Sequence, residues 1–175
     1  MRVAVIGLIG AAVAVVLYII GVVHTPDYTL GLFGATGLGV YRVKSALATV
    51  ALGLAVVQVV LALWIYRKLP LAGRAPKPIG MTHRLIGFIA VLVTLPVAIH
   101  CIMAYGVVLT DARIMIHSIA GCVFYGAFVA KVLLVQSKKL PGWALPVAGG
   151  LLALLIALLW YTSALWYYNG YRLPI

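Results

Sequence analysis

HRLIGFIAVLVTLPVAIHCIMAYGVVLTDARIMIH, residues 83–117, decides how the chain folds. It is two apolar runs broken by the short polar turn TDAR at 110–113, and it holds three of the four histidines. Read as membrane helices, the runs form an antiparallel hairpin with His100 and His117 on either side of its turn. A helical rise of about 1.5 Å per residue puts His100 roughly 15 Å and His117 roughly 9 Å from that turn, a mismatch that modest tilt removes. A histidine inside a membrane segment is costly without a partner and is a functional-site hypothesis by default. Two that face each other point to one object bound between them, and a b-type haem held by two imidazoles is the commonest such object.

Composition agrees with a membrane setting. Of 175 residues 66% are hydrophobic and only 9% charged, and the mean hydropathy is +1.21, far outside the soluble range. Two acidic residues, Asp27 and Asp111, stand against 13 Lys and Arg, for a net charge of +11. The basic residues lie almost wholly between apolar runs, as topology signals and lipid headgroup contacts do, which excludes nucleic acid as the partner. Cys101 and Cys122 both sit inside apolar runs without a C-x-x-C or C-x-x-C-H motif, so they read as small buried residues, with a disulfide between them the lesser alternative.

Five runs are long enough to span a hydrocarbon core: 3–23, 45–66, 85–108, 113–135 and 143–168. The fold expected is an all-α integral membrane bundle, one domain over residues 1–175, in which the first run is a retained anchor with no A-x-A cleavage site. The connection RKLPLAGRAPKPIGMTHR at 67–84 and the connection QSKKLPGW at 136–143 are basic, so the positive-inside bias places the amino terminus in the cytoplasm and the carboxyl terminus outside. HTPDYTLGLFGATGLGVYRVK (24–44), TDAR and WYYNGYRLPI (166–175) then face outward. Arg42, Lys44, Arg113 and Arg172 are basic residues on that outer side.

Those exceptions bear on the histidine pair. Each histidine alone reads as an interhelical hydrogen bond worth about 0.6 kcal/mol; two at matching depth favour haem. Bis-imidazole coordination leaves no open site on the iron and suits electron transfer. Haem propionates at the outer surface would pair with Arg113, Arg42 or Lys44. Gly106, Ala120, Gly121, Gly126 and Ala127 give thin helix faces for a macrocycle or for a neighbouring helix. Pro96 bends the third helix, with the option of aiming His100. His83 lies about 25 Å along the helix from His100, too far for the same iron, and reads as an interfacial headgroup, quinone or proton contact. His24 reads as a helix terminator and spare ligand, and Lys131 as a snorkelling residue. Trp160, Tyr161, Trp166, Tyr167 and Tyr168 form an outer aromatic belt.

At PVAIHCIMAYG (96–106), HSIAGCVFYGAFVAKVLLVQSKKLPGW (117–143) and LWYTSALWYY (159–168) the sequence resembles an uncharacterised family of small bacterial membrane proteins, over most of the chain. More loosely, histidines on paired helices resemble the cytochrome b561 and ferric-reductase-like transmembrane cytochromes. That second resemblance implies b-type haem and transmembrane electron transfer, carried onto His100 and His117 alone; those families usually have two haems and four ligands.

The expected function is a multi-pass subunit of a bacterial cell membrane, with one bis-histidine haem b, passing electrons between an extracytoplasmic redox partner and quinone or a respiratory complex. It reads as an electron-transfer subunit rather than a stand-alone enzyme. The competing classes are a cofactor-free structural or assembly subunit and, further off, a small transporter, for which no intramembrane acid or inverted repeat speaks.

Overall fold

In the computed structural model residues 2–70 and 73–173 are described. Met1, Leu71, Ala72, Pro174 and Ile175 lie outside them, and so do those parts of the 67–84 connection and of the terminal WYYNGYRLPI. The helices are α1 (Arg2–Val23), α2 (Leu38–Ile65), α3 (Lys77–Tyr105), α4 (Ala112–Gln136) and α5 (Ala144–Trp160). A π-helical turn (Tyr161–Leu165) and α6 (Trp166–Tyr168) carry α5 on, so that Ala144–Tyr168 is one continuous span. All five spans are long and apolar enough to cross a membrane, the build of a multi-pass membrane protein. Leu8 and Leu154, 70% and 72% exposed, belong to a broad apolar outer surface that suits lipid.

Two helices are longer than their hydropathy indicates. α2 begins at Leu38, after Gly37 at φ 54°, and α3 begins at Lys77 with a proline in its first turn, where the missing N–H costs nothing. At 28 and 29 residues they run to about 42–44 Å, beyond a hydrocarbon core of about 30 Å. Hydropathy marks only the stretch lipid must cover. The polar first turns of α2 and α3 stand clear of it, and Tyr41, Arg42, Lys44 and His83 are therefore helical.

One end of the bundle carries Arg2 and the two basic connections, and is called the basic end. The opposite, loop end carries residues 24–37, the 106–111 turn and Tyr171. Around the bundle the helices run α3, α2, α5, α4, α1, each packed on the next, and α1 meets α3 only slightly. The expected α3–α4 hairpin is therefore corrected: the two are consecutive in sequence but stand across the bundle from each other. Their partners are elsewhere. α4 packs most closely on α1, where small residues let backbones touch: a Cβ on Gly10 would lie 2.7 Å from the Gly126 carbonyl oxygen and 2.9 Å from Ala130 Cβ. Gly126 thus serves the α1 crossing and not a macrocycle. On its other side α4 contributes Ala120 and Phe124 to a core with Ala51, Leu155 and Ile156.

The loop end is tied by backbone. Val107 N–H donates to Gly21 O (2.8 Å) and Asp27 N–H to Met103 O (3.1 Å). His24 Nε2 lies 3.1 Å from the same Met103 carbonyl. Gly106, at φ 67°, brings α1 and α3 together: a Cβ there would sit 2.6 Å from Gly21 O, so only glycine fits.

Candidate functional site

Because α3 and α4 stand apart, a cavity of about 120 Å³ opens between them. It is mostly apolar, as small-molecule and cofactor sites are, and smaller than most of them. α3 supplies Thr94, Val97, Ala98, Cys101 and Ile102, a stripe at helical spacing, and α4 supplies His117, Ser118, Gly121, Cys122 and Tyr125. α5 adds Ile156, Leu159 and Trp160. Across the gap Tyr125 Oη donates to Thr94 Oγ1 (2.9 Å), whose own proton goes to Val91 O (2.8 Å).

His117 is the histidine the cavity presents. Its Nδ1 is 2.9 Å from Thr162 Oγ1. That hydroxyl has one proton and two carbonyl neighbours, Leu158 O at 2.8 Å and Leu159 O at 3.3 Å. It must give its proton to a carbonyl and accept from the imidazole, so His117 carries its hydrogen on Nδ1 and keeps a lone pair on Nε2. Thr162 is presented by the π-helical turn, a feature that often marks functional positions. There the Ser163 hydroxyl also bonds back to Leu159 O (2.6 Å). The Thr162 carbonyl is used as well, accepting from Arg113 Nη1 at 2.9 Å. Arg113 and His117, one turn apart on α4, are thereby both fastened to one residue of the fifth span.

His100 shares the depth of His117, each about 7.5 Å along its helix from the loop end. Its direction differs. At 100° per residue it lies about 130° round α3 from the centre of the cavity stripe, and it is 3% exposed, with Nε2 3.0 Å from Leu30 O in the 24–37 loop. Its Nδ1 is buried with no hydrogen-bond partner. Both imidazoles therefore have one nitrogen engaged and one free, the pattern that fixes ring orientation in metal-ligating histidines, but the structure does not bring the two free nitrogens to one point.

The basic residues of the loop end are placed by aromatic rings. Arg113 stacks on Trp166 at 3.9 Å, and Lys44 Nζ is 4.5 Å over Tyr105. Tyr105 also lies against Tyr41, Tyr28 and His100. Arg42 is exposed. Asp27 and Asp111 are taken up locally, Asp27 by the Thr29 N–H and hydroxyl, Asp111 by capping the Ile114 N–H. Those two hydrogen bonds from Thr29 hold the Asp27 carboxyl below its ordinary range. Cys101 and Cys122 are free thiols on opposite walls of the cavity.

Thr162, Thr94 and Tyr125 were not singled out from sequence. Hydroxyl residues are common in membrane helices, and nothing local distinguishes Thr162 from Thr49, which accepts from Trp160 Nε1 at 3.0 Å. A usable signal is the TS pair inside WYTSALWYY, two hydroxyls able to satisfy the carbonyls that a π turn frees.

DUF6529, a family of unknown function, matches residues 3–175. The chain belongs to that family. No curated protein and no solved structure matches this DUF6529 chain. The likeness to cytochrome b561 and ferric-reductase-like proteins thus rests on the histidines alone.

Proposed function

We propose that this DUF6529 protein is a membrane redox subunit that binds one b-type haem at the cavity between α3 and α4, where His117 would hold the iron. One observation carries the reading: the Thr162 hydroxyl, which donates to Leu158 O, lies 2.9 Å from His117 Nδ1 at the cavity wall, an arrangement that favours the Nδ1–H tautomer and leaves Nε2 the lone pair a metal needs. The apolar lining suits a macrocycle, for which the cavity of about 120 Å³ would have to widen, and Arg113 and Lys44, held on aromatic rings, suit its two propionates. A haem bound there supplies one-electron redox chemistry.

In this reading His100 would be the second residue to hold the iron, and it would reach the cavity only if its bond to Leu30 O opened and the ring turned. The cationic basic end faces the cytoplasm by the positive-inside bias, which puts the site near the outer surface of a bacterial cell membrane. Electrons then pass between an extracytoplasmic redox partner and quinone or a larger respiratory assembly. A second reading, a cofactor-free assembly subunit, is favoured by the fact that both imidazoles already fasten helices or loops to one another.

The test is the spectrum of the protein purified from cells supplied with haem. A Soret band and a reduced-minus-oxidised alpha band, lost in His117→Ala, are expected. His100→Ala should turn a low-spin spectrum high-spin while haem stays bound. Absence of both bands overturns the haem reading and leaves the assembly subunit.

A further inference from the structure

The basic end of the bundle holds a notch of about 240 Å³, open to its outer surface and lined by Arg2, Val5 and Ile6 of α1 and by Ser137, which follows α4. The two helices are packed on one another, and a hydrogen bond joins their ends here: Arg2 Nη1 donates to Lys138 O at 3.3 Å. The Ser137 hydroxyl gives its proton to Leu133 O at 2.8 Å and so offers the notch only lone pairs. Val5 is half exposed, whereas Ile6 is 8% exposed and belongs to a buried group with Leu134 and Ala144. The notch thus has a firm apolar lining and a cationic rim.

Height in the membrane decides what can fill it. α1 has 22 residues and runs to about 33 Å, close to the hydrocarbon thickness of about 30 Å. Arg2, its first residue, therefore stands at the headgroup level of the basic end. Val5 and Ile6 follow about 4.5 and 6 Å deeper, where the first methylenes of an acyl chain begin. Lys138 and Lys139, both exposed, stand on the connection that Arg2 grips. The chain's two acidic residues, Asp27 and Asp111, are at the other end: Asp111 caps α4 about 39 Å from Ser137, and Asp27 is bonded to Met103 at the loop end. At several screening lengths neither neutralises this rim. Arg2 uses one N–H on Lys138 O and keeps the rest of its planar fork, which matches phosphate geometry. We propose that this notch binds one anionic phospholipid, with the phosphodiester on Arg2 and Lys138 and an acyl chain along Val5 and Ile6. The basic rim selects a negative headgroup, and the apolar lining selects a lipid over a free ion.

The experiment uses the full chain purified in a neutral detergent. Its melting temperature is followed while phosphatidylglycerol, phosphatidylcholine or inorganic phosphate is titrated in, and native mass spectrometry counts retained lipid. One retained phosphatidylglycerol with a raised melting temperature is expected, and neither effect from phosphatidylcholine. Inorganic phosphate should neither stabilise the protein nor displace the lipid. Arg2→Gln should weaken retention about tenfold, as loss of a charge-assisted bond does, and Lys138→Gln about fivefold. Val5→Trp, which fills the notch and leaves every charge in place, should weaken it too. Arg74→Gln removes one charge from the α2–α3 connection at the same end of the bundle and should bind as the parent does. Circular dichroism and melting in detergent alone confirm that each variant is folded. Equal retention of phosphatidylcholine, undiminished retention in Arg2→Gln and Val5→Trp, or an equal loss in Arg74→Gln overturns the proposal. Stabilisation by inorganic phosphate alone overturns the lipid as the occupant.

Discussion

Replacing Thr162 by Val tests the cavity more sharply than removing either histidine. Valine keeps the shape of threonine and deletes one hydroxyl, the group that sits 2.9 Å from His117 Nδ1 and 2.8 Å from Leu158 O. The interhelical bond lost is of a kind that contributes about 0.6 kcal/mol on average in membrane proteins, with a maximum near 1.7, so the bundle should lose less than about 2 kcal/mol and remain folded. The effect on the imidazole is larger in consequence. With no acceptor at Nδ1, the proton is free to move to Nε2, which removes the lone pair from the cavity wall. Loss of such an orienting partner typically lowers metal affinity about 10–100-fold. Two assays read this separately: haem titration into the apoprotein, and ¹⁵N NMR of histidine side chains for the tautomer, which needs no cofactor. Thr162→Ser should restore both. If Thr162→Val keeps the Nδ1–H tautomer and parental haem affinity, the argument that Thr162 presents His117 as a ligand is refuted.

Gly126→Val should destabilise the protein by about 1–3 kcal/mol in detergent unfolding, because its side chain would meet the Gly10 backbone and push α1 off α4. Gly7→Val, where a Cβ meets nothing within 4 Å, should be nearly silent in the same assay. Asp111→Ala removes the cap on Ile114 N–H (3.0 Å) and should cost about 1 kcal/mol, with amide exchange quickened in the first turn of α4. Asp27 has a depressed folded pKa, so its support of the 27–30 turn is full above the ordinary carboxylate range and fades as pH falls through the folded value. Carboxyl ¹³C titration should place that midpoint below the ordinary range in the parent, and Thr29→Ala should raise it.

The membrane character of the chain and its five spans were legible in the sequence because hydropathy over a window depends on composition alone, not on which helix lies beside which. The depth of His100 and His117 was legible too, since the helical rise is fixed. Which helices are neighbours was not. A short turn such as TDAR implies adjacency in a compact bundle, but the backbone approach at Gly10 and Gly126 draws α4 to α1, and α3 finds its partner in α2. Rotation was equally hidden. A membrane helix is apolar on all sides, so periodicity does not say that Thr94, Ala98 and Cys101 turn inward while His100, two residues from Ala98, turns to the 24–37 loop. Only the packed bundle decides that one histidine fastens a loop and the other faces a cavity, because burial direction is set by neighbours far away in the chain. The partnership of His117 with Thr162, 45 residues on, has the same origin.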